Sequence, residues 1–520
     1  MNLIQRGLRF CTNLGKFGVD NIIKGQKIKF GYLRYAYNPV VQSKGQTRRL
    51  NRGIRRNKLS FLIVLIGEDD TETKKSVAAQ RLGPDRILLA EDLMTANKVV
   101  EGAKEDYILF LPMGNRIDDA YLAAVSLKLQ NKQTGRPKLI YTDSKDFEGN
   151  YYFKSNYGPD SLDAQNYIGE IFLVETSAFE KTDGFLYPDV KKGMYDFLLR
   201  LTKEAKEDIT KEGDILHITS PLDCYGKFEL EVSPYSYEIE NHPKVSILIP
   251  NKDQADTLKT CIDSIIERSS YDNYEIVIIE NNSVEEKTFQ YYDSISSDVI
   301  SVVKCVTKWN YSYINNYGLK YIKGDYVIFL NNDTEVISED WIEQMLFFAK
   351  RKDVGAVGIK LLYPDHTIQH GGVILGIRGI AGHAFLGADE TEKGYMNRLV
   401  TVSNVSAVTA ACMMVPAEVL KKVKGFDEGF AVAFNDVDLC LRIKKAGYRI
   451  VMNPFAKLYH YESKSRGSDE QNQEKLKRFN AECDRFGTIW YEQLMNVDPY
   501  YNRNLTMEAD DFSYADIYRG

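Results

Sequence analysis

KGDYVIFLNNDTEV, residues 323–336, is the stretch on which the reading of the chain turns. Its apolar run YVIFL has the length and residue types of a strand. It stops at Asn331-Asn332-Asp333-Thr334-Glu335, where four of five side chains carry an amide or carboxylate oxygen. A strand that ends this way has met an Asx turn or has delivered oxygen ligands to a site. KEDYILFLPMGNRI, residues 104–117, separates the two cases. It repeats the strand in residue type but carries Pro112-Met113-Gly114 where the later copy has Asn331-Asn332-Asp333. The strand therefore does not need Asp333.

Working outward, the repetition extends along the chain. IFLVETSAFEKTDGF (171–185) parallels CMMVPAEVLKKVKGF (412–426), and YDFLLRL (195–201) parallels VDLCLRI (437–443). PKVSILIPNKDQAD (243–256) reads as a strand breaking into a polar loop, LKTCIDSIIERS as a helix, and YEIVIIENNS as a second strand with a polar end. Strand, loop, helix, strand begins an α/β unit whose sheet is mostly parallel. Ligands of such sheets bind beyond the carboxyl ends of the strands, where NKD, ENNS and NNDTE all fall. The expected fold is α/β, two tandem copies of one domain joined near 233–244. The second copy has Asp436 and His460. The first has Met194 or Gly193 at the former position and no histidine at the latter.

With 520 residues, the chain exceeds one ordinary core. Its expected divisions are a basic amphipathic arm (1–57), the first copy (58–232), the second copy (243–470) and a helical C-terminal extension and tail (471–520). The net charge of −6 hides an asymmetry: residues 1–60 hold 14 Lys and Arg against one Asp. Aromatics interleave with these cations in LRFCTNLGKFG and IKFGYLRYAY, which points to an anionic membrane surface. No nucleic-acid motif accompanies them. No apolar run approaches the ~20 residues that span a bilayer, and no signal-peptide core opens the chain. The seven cysteines form no CxxC, consistent with reduced thiols in a cytoplasmic protein at the inner membrane face.

Residues 244–465 resemble a family 2 inverting glycosyltransferase with the GT-A fold, a nucleotide-diphospho-sugar transferase architecture. The matching motifs, in order, are VSILIPNKD, IVIIENNS, NNYGLKYIKGDYVIFLNNDTEV, VTAACMMVPAEVLKKVKGFDEGF, NDVDLCLRIKKAGYRI and HYESKSRG. The first copy is similar to the same family more distantly and is expected to be a degenerate, non-catalytic domain. The resemblance implies Mn²⁺ or Mg²⁺ bridging the donor diphosphate, with Asp333 and His460 as protein ligands. Such ions favour oxygen donors, and Mn²⁺ tolerates an imidazole. It implies Asp436 as the base that takes the acceptor proton, with Asn435 in place of a companion acid and Asp438 turned to a structural ion pair. Donor contacts would come from Pro250, Asn251, Lys252, Glu280, Asn281, Asn316 and Asn332. Asn281 stands where an acid often contacts uracil, which leaves UDP- and dTDP-linked donors open. The Gly-rich stretch 368–387 reads as a mobile loop on the acceptor side. His370 and His383 within it, with Trp309 and Asn435, are weaker acceptor candidates.

The expected activity is transfer of a hexose or deoxyhexose, as in the bacterial rhamnosyltransferases of this family, to a growing polysaccharide or lipid-linked glycan. Two alternatives stay open: a non-catalytic glycan-binding or scaffold protein, and transfer to a protein acceptor. A sugar nucleotidyltransferase would need a Gly-rich, basic signature after the first strand, which PNKDQAD lacks. The first copy could brace the second, position acceptor or form a homo-oligomer interface.

Overall fold

Phe61–Ile66 (β1) is buried at all six positions, as a strand covered on both faces must be. The structure, a computed structural model, describes residues 51, 54–55, 58–130, 136–207, 209–233, 236–462 and 473–515. The expectation for the basic arm, 1–57, falls almost wholly outside the described residues. Two compact units emerge. The first ends at Ser233 and includes Tyr501–Leu505. The second takes the chain from there to Tyr500 and again from Thr506.

After β1, the first unit contributes β2 (Arg86–Ala90), β3 (Tyr107–Pro112), β4 (Arg116–Ile117), β5 (Leu139–Asp146), β6 (Tyr151–Tyr152), β7 (Phe172–Glu175) and β8 (Ile215–Tyr225). The second begins with β9 (Val245–Asn251), β10 (Tyr274–Glu280), β11 (Ile300–Lys304), β12 (Tyr326–Leu330), β13 (Thr334–Val336), β14 (Val354–Leu362) and β15 (Ile368–His370). It continues with β16 (Val373–Leu375), β17 (Ala381–His383), β18 (Ser403–Val405), β19 (Cys412–Pro416) and β20 (Arg449–His460).

The first sheet has the order β2-β1-β3-β7-β5-β8-β4, and the second β11-β10-β9-β12-β19-β14-β20-β13. Set β11 aside and the two orders coincide strand for strand. The senses coincide too. The pairs β1·β2, β1·β3 and β5·β8 are parallel, as are β9·β10, β9·β12 and β14·β20. The pairs β3·β7, β5·β7 and β4·β8 are antiparallel, as are β12·β19, β14·β19 and β13·β20. Two tandem α/β domains are thus built on one topology.

Because β9, β10 and β12 run parallel, their carboxyl ends share one edge of the second sheet. Asn251, Glu280 and Asn331 to Asp333 are brought there by strand direction alone. The units differ most between β15 and β19, where residues 371–411 replace the shorter 153–171 of the first unit. The C-terminal extension is not a separate tail. Its helix Gln473–Ile489 buries Phe479, Cys483 and Phe486 and, with Trp490, completes the second unit's core. Burying each such side chain contributes roughly 1.5–3 kcal/mol. The six described cysteines are free. Among the described residues, no helix is long and apolar enough to cross a membrane.

Candidate active site

Strand β13 pairs with β20 so that Thr334 faces His460. This register carries Asp333 to the imidazole: Asp333 Oδ1 lies 3.3 Å from His460 Nε2, and both side chains are nearly buried. Asn331 Nδ2 approaches the same nitrogen at 3.2 Å. Among the described residues, His460 Nδ1 is buried without a partner. Two donors bonded cis to one octahedral ion at about 2.1 Å stand about 3 Å apart, so this pair fits a small divalent cation. Burial pushes the neighbouring Cys261 thiol up to about 12, so it offers no thiolate. The donor set is oxygen and imidazole, which suits Mg²⁺ or Mn²⁺. No group of three or more His, Cys, Asp or Glu able to hold a metal occurs among the described residues.

The helix Asn435–Lys445 follows Phe434, whose φ of 61° turns the chain sharply into its first residue. Asp436 is half-buried there, and its Oδ2 accepts from the Ala410 amide at 3.2 Å. Asn435 spends its amide on the Val432 carbonyl. Asp438 is divided from Asp436 as expected, accepting from Arg442 Nε at 2.7 Å and Trp490 Nε1 at 2.9 Å. A residue that sequence reasoning missed holds the preceding loop. Glu482 accepts from the Val432 and Ala433 amides at 3.0 and 3.1 Å, one through each carboxylate oxygen. An acid on the apolar stripe of Phe479, Cys483 and Phe486 was the signal for it.

Three consecutive residues tie these parts together. The Thr409 amide lies 3.4 Å from His370 Nε2, and the next amide, of Ala410, reaches Asp436. The Ala411 carbonyl accepts from the Asn331 amide at 3.0 Å. Tyr311 donates its hydroxyl to the Ala410 carbonyl at 2.9 Å, while Trp309 packs against the core.

On the donor side, Asn251 is fully buried. Its Oδ1 accepts from Asn332 at 2.6 Å, and its Nδ2 donates to Tyr292 at 2.7 Å. Glu280 Oε1 accepts from the Ser283 amide at 2.6 Å. Its Oε2 is buried without a partner among the described residues. Asn281 donates to the Cys305 and Thr307 carbonyls, fixing the loop after β11. Pro250 is buried and Lys252 exposed.

Asn316, expected on the donor side, has a structural partner. Its amide brackets Phe426, donating to the carbonyl at 3.0 Å and accepting from the N–H at 2.8 Å. Asn97 does the same to Phe185 at 2.8 and 2.9 Å. The glycine before each bracketed Phe, Gly184 or Gly425, has positive φ, and a Cβ there would strike the Asn side chain. The same bracket in both units gives this amide a scaffold role.

The shared topology shows what the first unit has instead of each reactive group. Gly114 occupies the place of Asp333 on the strand end. The β4·β8 register puts Tyr225 where His460 stands. Its hydroxyl is consumed by the Glu170 and Ile171 amides at 3.1 and 2.9 Å. Arg200 pairs with Asp196 as Arg442 pairs with Asp438, which aligns the two helices and puts fully buried Met194 at the position of Asp436.

The 368–387 stretch, expected as a mobile loop, is instead a braced hairpin of β16 and β17. Asp498 accepts from the Leu375 amide at 2.9 Å. Arg378 pairs with Asp510 at 2.9 Å, and Phe385 stacks on Phe512 at 4.7 Å. The hairpin sets His383 Nδ1 2.7 Å from His370 Nδ1. Burial holds both imidazoles below their ordinary pKa.

Comparison with known proteins bears on this edge of the sheet. The chain is 33% identical over 465 residues to the uncharacterized protein y4gI of Sinorhizobium fredii, covering 80% of this chain and 50% of that protein. It is 28% identical over 490 residues to the O-antigen biosynthesis protein RfbC of Myxococcus xanthus, covering 84% of this chain and 37% of the relative. The chain thus spans half or less of the length of these relatives. A crystal structure of GalNAc-T7 with UDP, GalNAc and Mn²⁺ aligns with a TM-score of 0.40 at 15% identity, over 52% of this chain and 50% of that one. The family described as Glycosyl transferase family 2 is matched over residues 246–423, from β9 to the helix after β19. That part of the chain belongs to glycosyl transferase family 2.

Proposed function

We propose that the chain transfers a glycosyl group, a hexose or deoxyhexose, from a nucleoside diphosphate sugar to a glycan or lipid-linked hydroxyl, with inversion. The observation that carries this is a contrast within the molecule. In the second unit Asp436 is held by the Ala410 amide, and Ala411 is bonded to the Asn331 backbone, two residues before the Asp333 that pairs with His460; the matching positions of the first unit hold Gly114, Met194 and Tyr225. A scaffold that keeps its strands in both copies and its reactive groups in one has separated chemistry from folding.

In the proposed reaction the acceptor hydroxyl oxygen bonds to the anomeric carbon as the bond to the β-phosphate oxygen breaks. The hydroxyl proton passes to Asp436, whose carboxylate is aimed by the Ala410 amide. The nucleoside diphosphate departs with the bonding pair. Asp333 and His460 would hold Mn²⁺ or Mg²⁺, which when bound neutralises charge on the departing phosphates. Glu280, with its unengaged oxygen, and the Asn251–Asn332 pair would face the nucleoside. The basic arm, 1–57, would keep the enzyme at an anionic, inner-face membrane surface.

The test is turnover of UDP- and dTDP-sugars with Mn²⁺. Asp436→Asn should lower kcat about 10²–10⁴-fold while donor binding survives, and Asp333→Asn should raise the Mn²⁺ needed for half-maximal rate. Full activity in Asp436→Asn would sink the proposal. For the arm, flotation with phosphatidylserine vesicles should carry the full chain upward, and a chain lacking residues 1–57 should stay behind.

A further inference from the structure

We infer that His370 and His383 form a fixed-tautomer relay that presents the Nε2–H of His383, as a hydrogen-bond donor, to a hydroxyl oxygen of the acceptor beside Asp436. The inference rests on the glycosyl-transfer reading for its acceptor, and on proton counting for the rest.

A neutral imidazole has one N–H and one lone pair. The two Nδ1 atoms lie 2.7 Å apart, so one donates and the other accepts. A backbone amide can only donate. The Thr409 N–H, 3.4 Å from His370 Nε2, makes that nitrogen the lone-pair atom. His370 therefore carries its proton on Nδ1 and donates it to His383 Nδ1. The proton of His383 is left on Nε2. A second proton would set His383 Nδ1–H against His370 Nδ1–H, or His370 Nε2–H against the Thr409 N–H, and burial opposes it as well.

His383 is half-buried, and its Nε2 makes no hydrogen bond among the described residues. It lies within the electrostatic reach of Glu462, Asp436 and His460. The amides of Thr409 and Ala410 are consecutive, so one peptide segment orients both the relay and Asp436. His383 Nε2 stays open to water, so a substrate oxygen at this place exchanges a solvent hydrogen bond for a directed one. The first unit has no counterpart of this arrangement, because 153–171 is too short to carry the hairpin.

The experiment has two arms on the full-length chain. Long-range ¹H–¹⁵N correlation with ¹⁵N-histidine, assigned by His383→Gln, should show His383 protonated at Nε2 only and His370 at Nδ1 only. The opposite tautomer, or a cationic ring, would overturn the relay whatever the enzyme's activity. In kinetics, His370→Leu should raise the acceptor KM tenfold or more with kcat changed less than threefold. His370→Gln, whose amide can both donate and accept, should restore most of it. Equal losses in KM and kcat for both variants would overturn the acceptor role. A wild-type chain that consumes no nucleotide sugar would overturn that role through the parent reading, and the spectrum would still decide the tautomers.

Discussion

Lys360, on β14, is 2% exposed, and among the described residues its ammonium donates only to the Leu399 carbonyl, at 2.7 Å. Burial pulls its pKa down to about 8. Unfolded, the same lysine titrates near 10.4. Between those values the unfolded chain binds more protons than the native one, so this group's contribution rises with pH through the window and is lost as pH falls through 8. The charged form then costs on the order of 3 kcal/mol at pH 7. Urea midpoints of Lys360→Met against wild type should show the variant favoured most at pH 7, with the advantage shrinking toward pH 10. A pH-independent difference would refute the reading. At this scale the sequence was legible where the two copies disagree. Asp333, Asp436 and His460 stood out because Gly114, Met194 and the absence of a histidine stood against them. The scaffold role of Asn316 was not legible, because its counterpart Asn97 lies in a part of the first copy whose correspondence becomes plain only from its matching hydrogen bonds.

The helix Gln473–Ile489 acts on the candidate base through a single carboxylate. Glu482 clamps two amides of the turn that leads into Asn435–Lys445, and Trp490 reaches Asp438 on the same helix. Glu482→Ala leaves two buried amides without acceptors, at about 1–3 kcal/mol each. It should lower kcat at least tenfold through misplacement of Asp436, with a fall in thermal midpoint. Glu482→Gln keeps one acceptor and should recover part of both. An alanine variant with full kcat would show that the turn holds itself. Such braces were not legible in the sequence, because they join a side chain to main-chain amides some 50 residues away. The hairpin illustrates the same limit. Its glycines read as a mobile loop, and the residues that stiffen it, Asp498, Asp510 and Phe512, lie more than 100 positions downstream. Strand ends were legible because periodicity and polarity are local. Bracing is a property of distant pairs.

Across the molecule, the two units realise one sheet order under different demands. In the first, a buried polar set joins β5 and β8, and Asn504 Oδ1 and Tyr121 Oη stay buried without partners among the described residues. Buried Asp223 is held by Lys154 at 3.3 Å and Ser144 at 2.8 Å, and Asp143 by His217 at 2.9 Å. Asn502 and Asn504, from the C-terminal segment of that unit, complete Asp143 at 2.8 and 3.1 Å. In the second, the buried atoms without partners among the described residues include Glu280 Oε2 and His460 Nδ1, both at the candidate site. Unsatisfied groups of this kind cost stability and are kept where function needs them.

Tyr225 and Met194 now acquire a meaning beyond their lack of acid or base. On the proposed function, they mark their unit as the one that carries no chemistry and the other as the one that binds the donor. Calorimetry of the intact chain should therefore resolve two transitions. Mn²⁺ with a nucleoside diphosphate at about 100 times its Kd should raise the lower one, by about 2.7 kcal/mol, and leave the upper one where it was. If the upper transition moves and the lower does not, the burden of chemistry lies in the other half of the duplication.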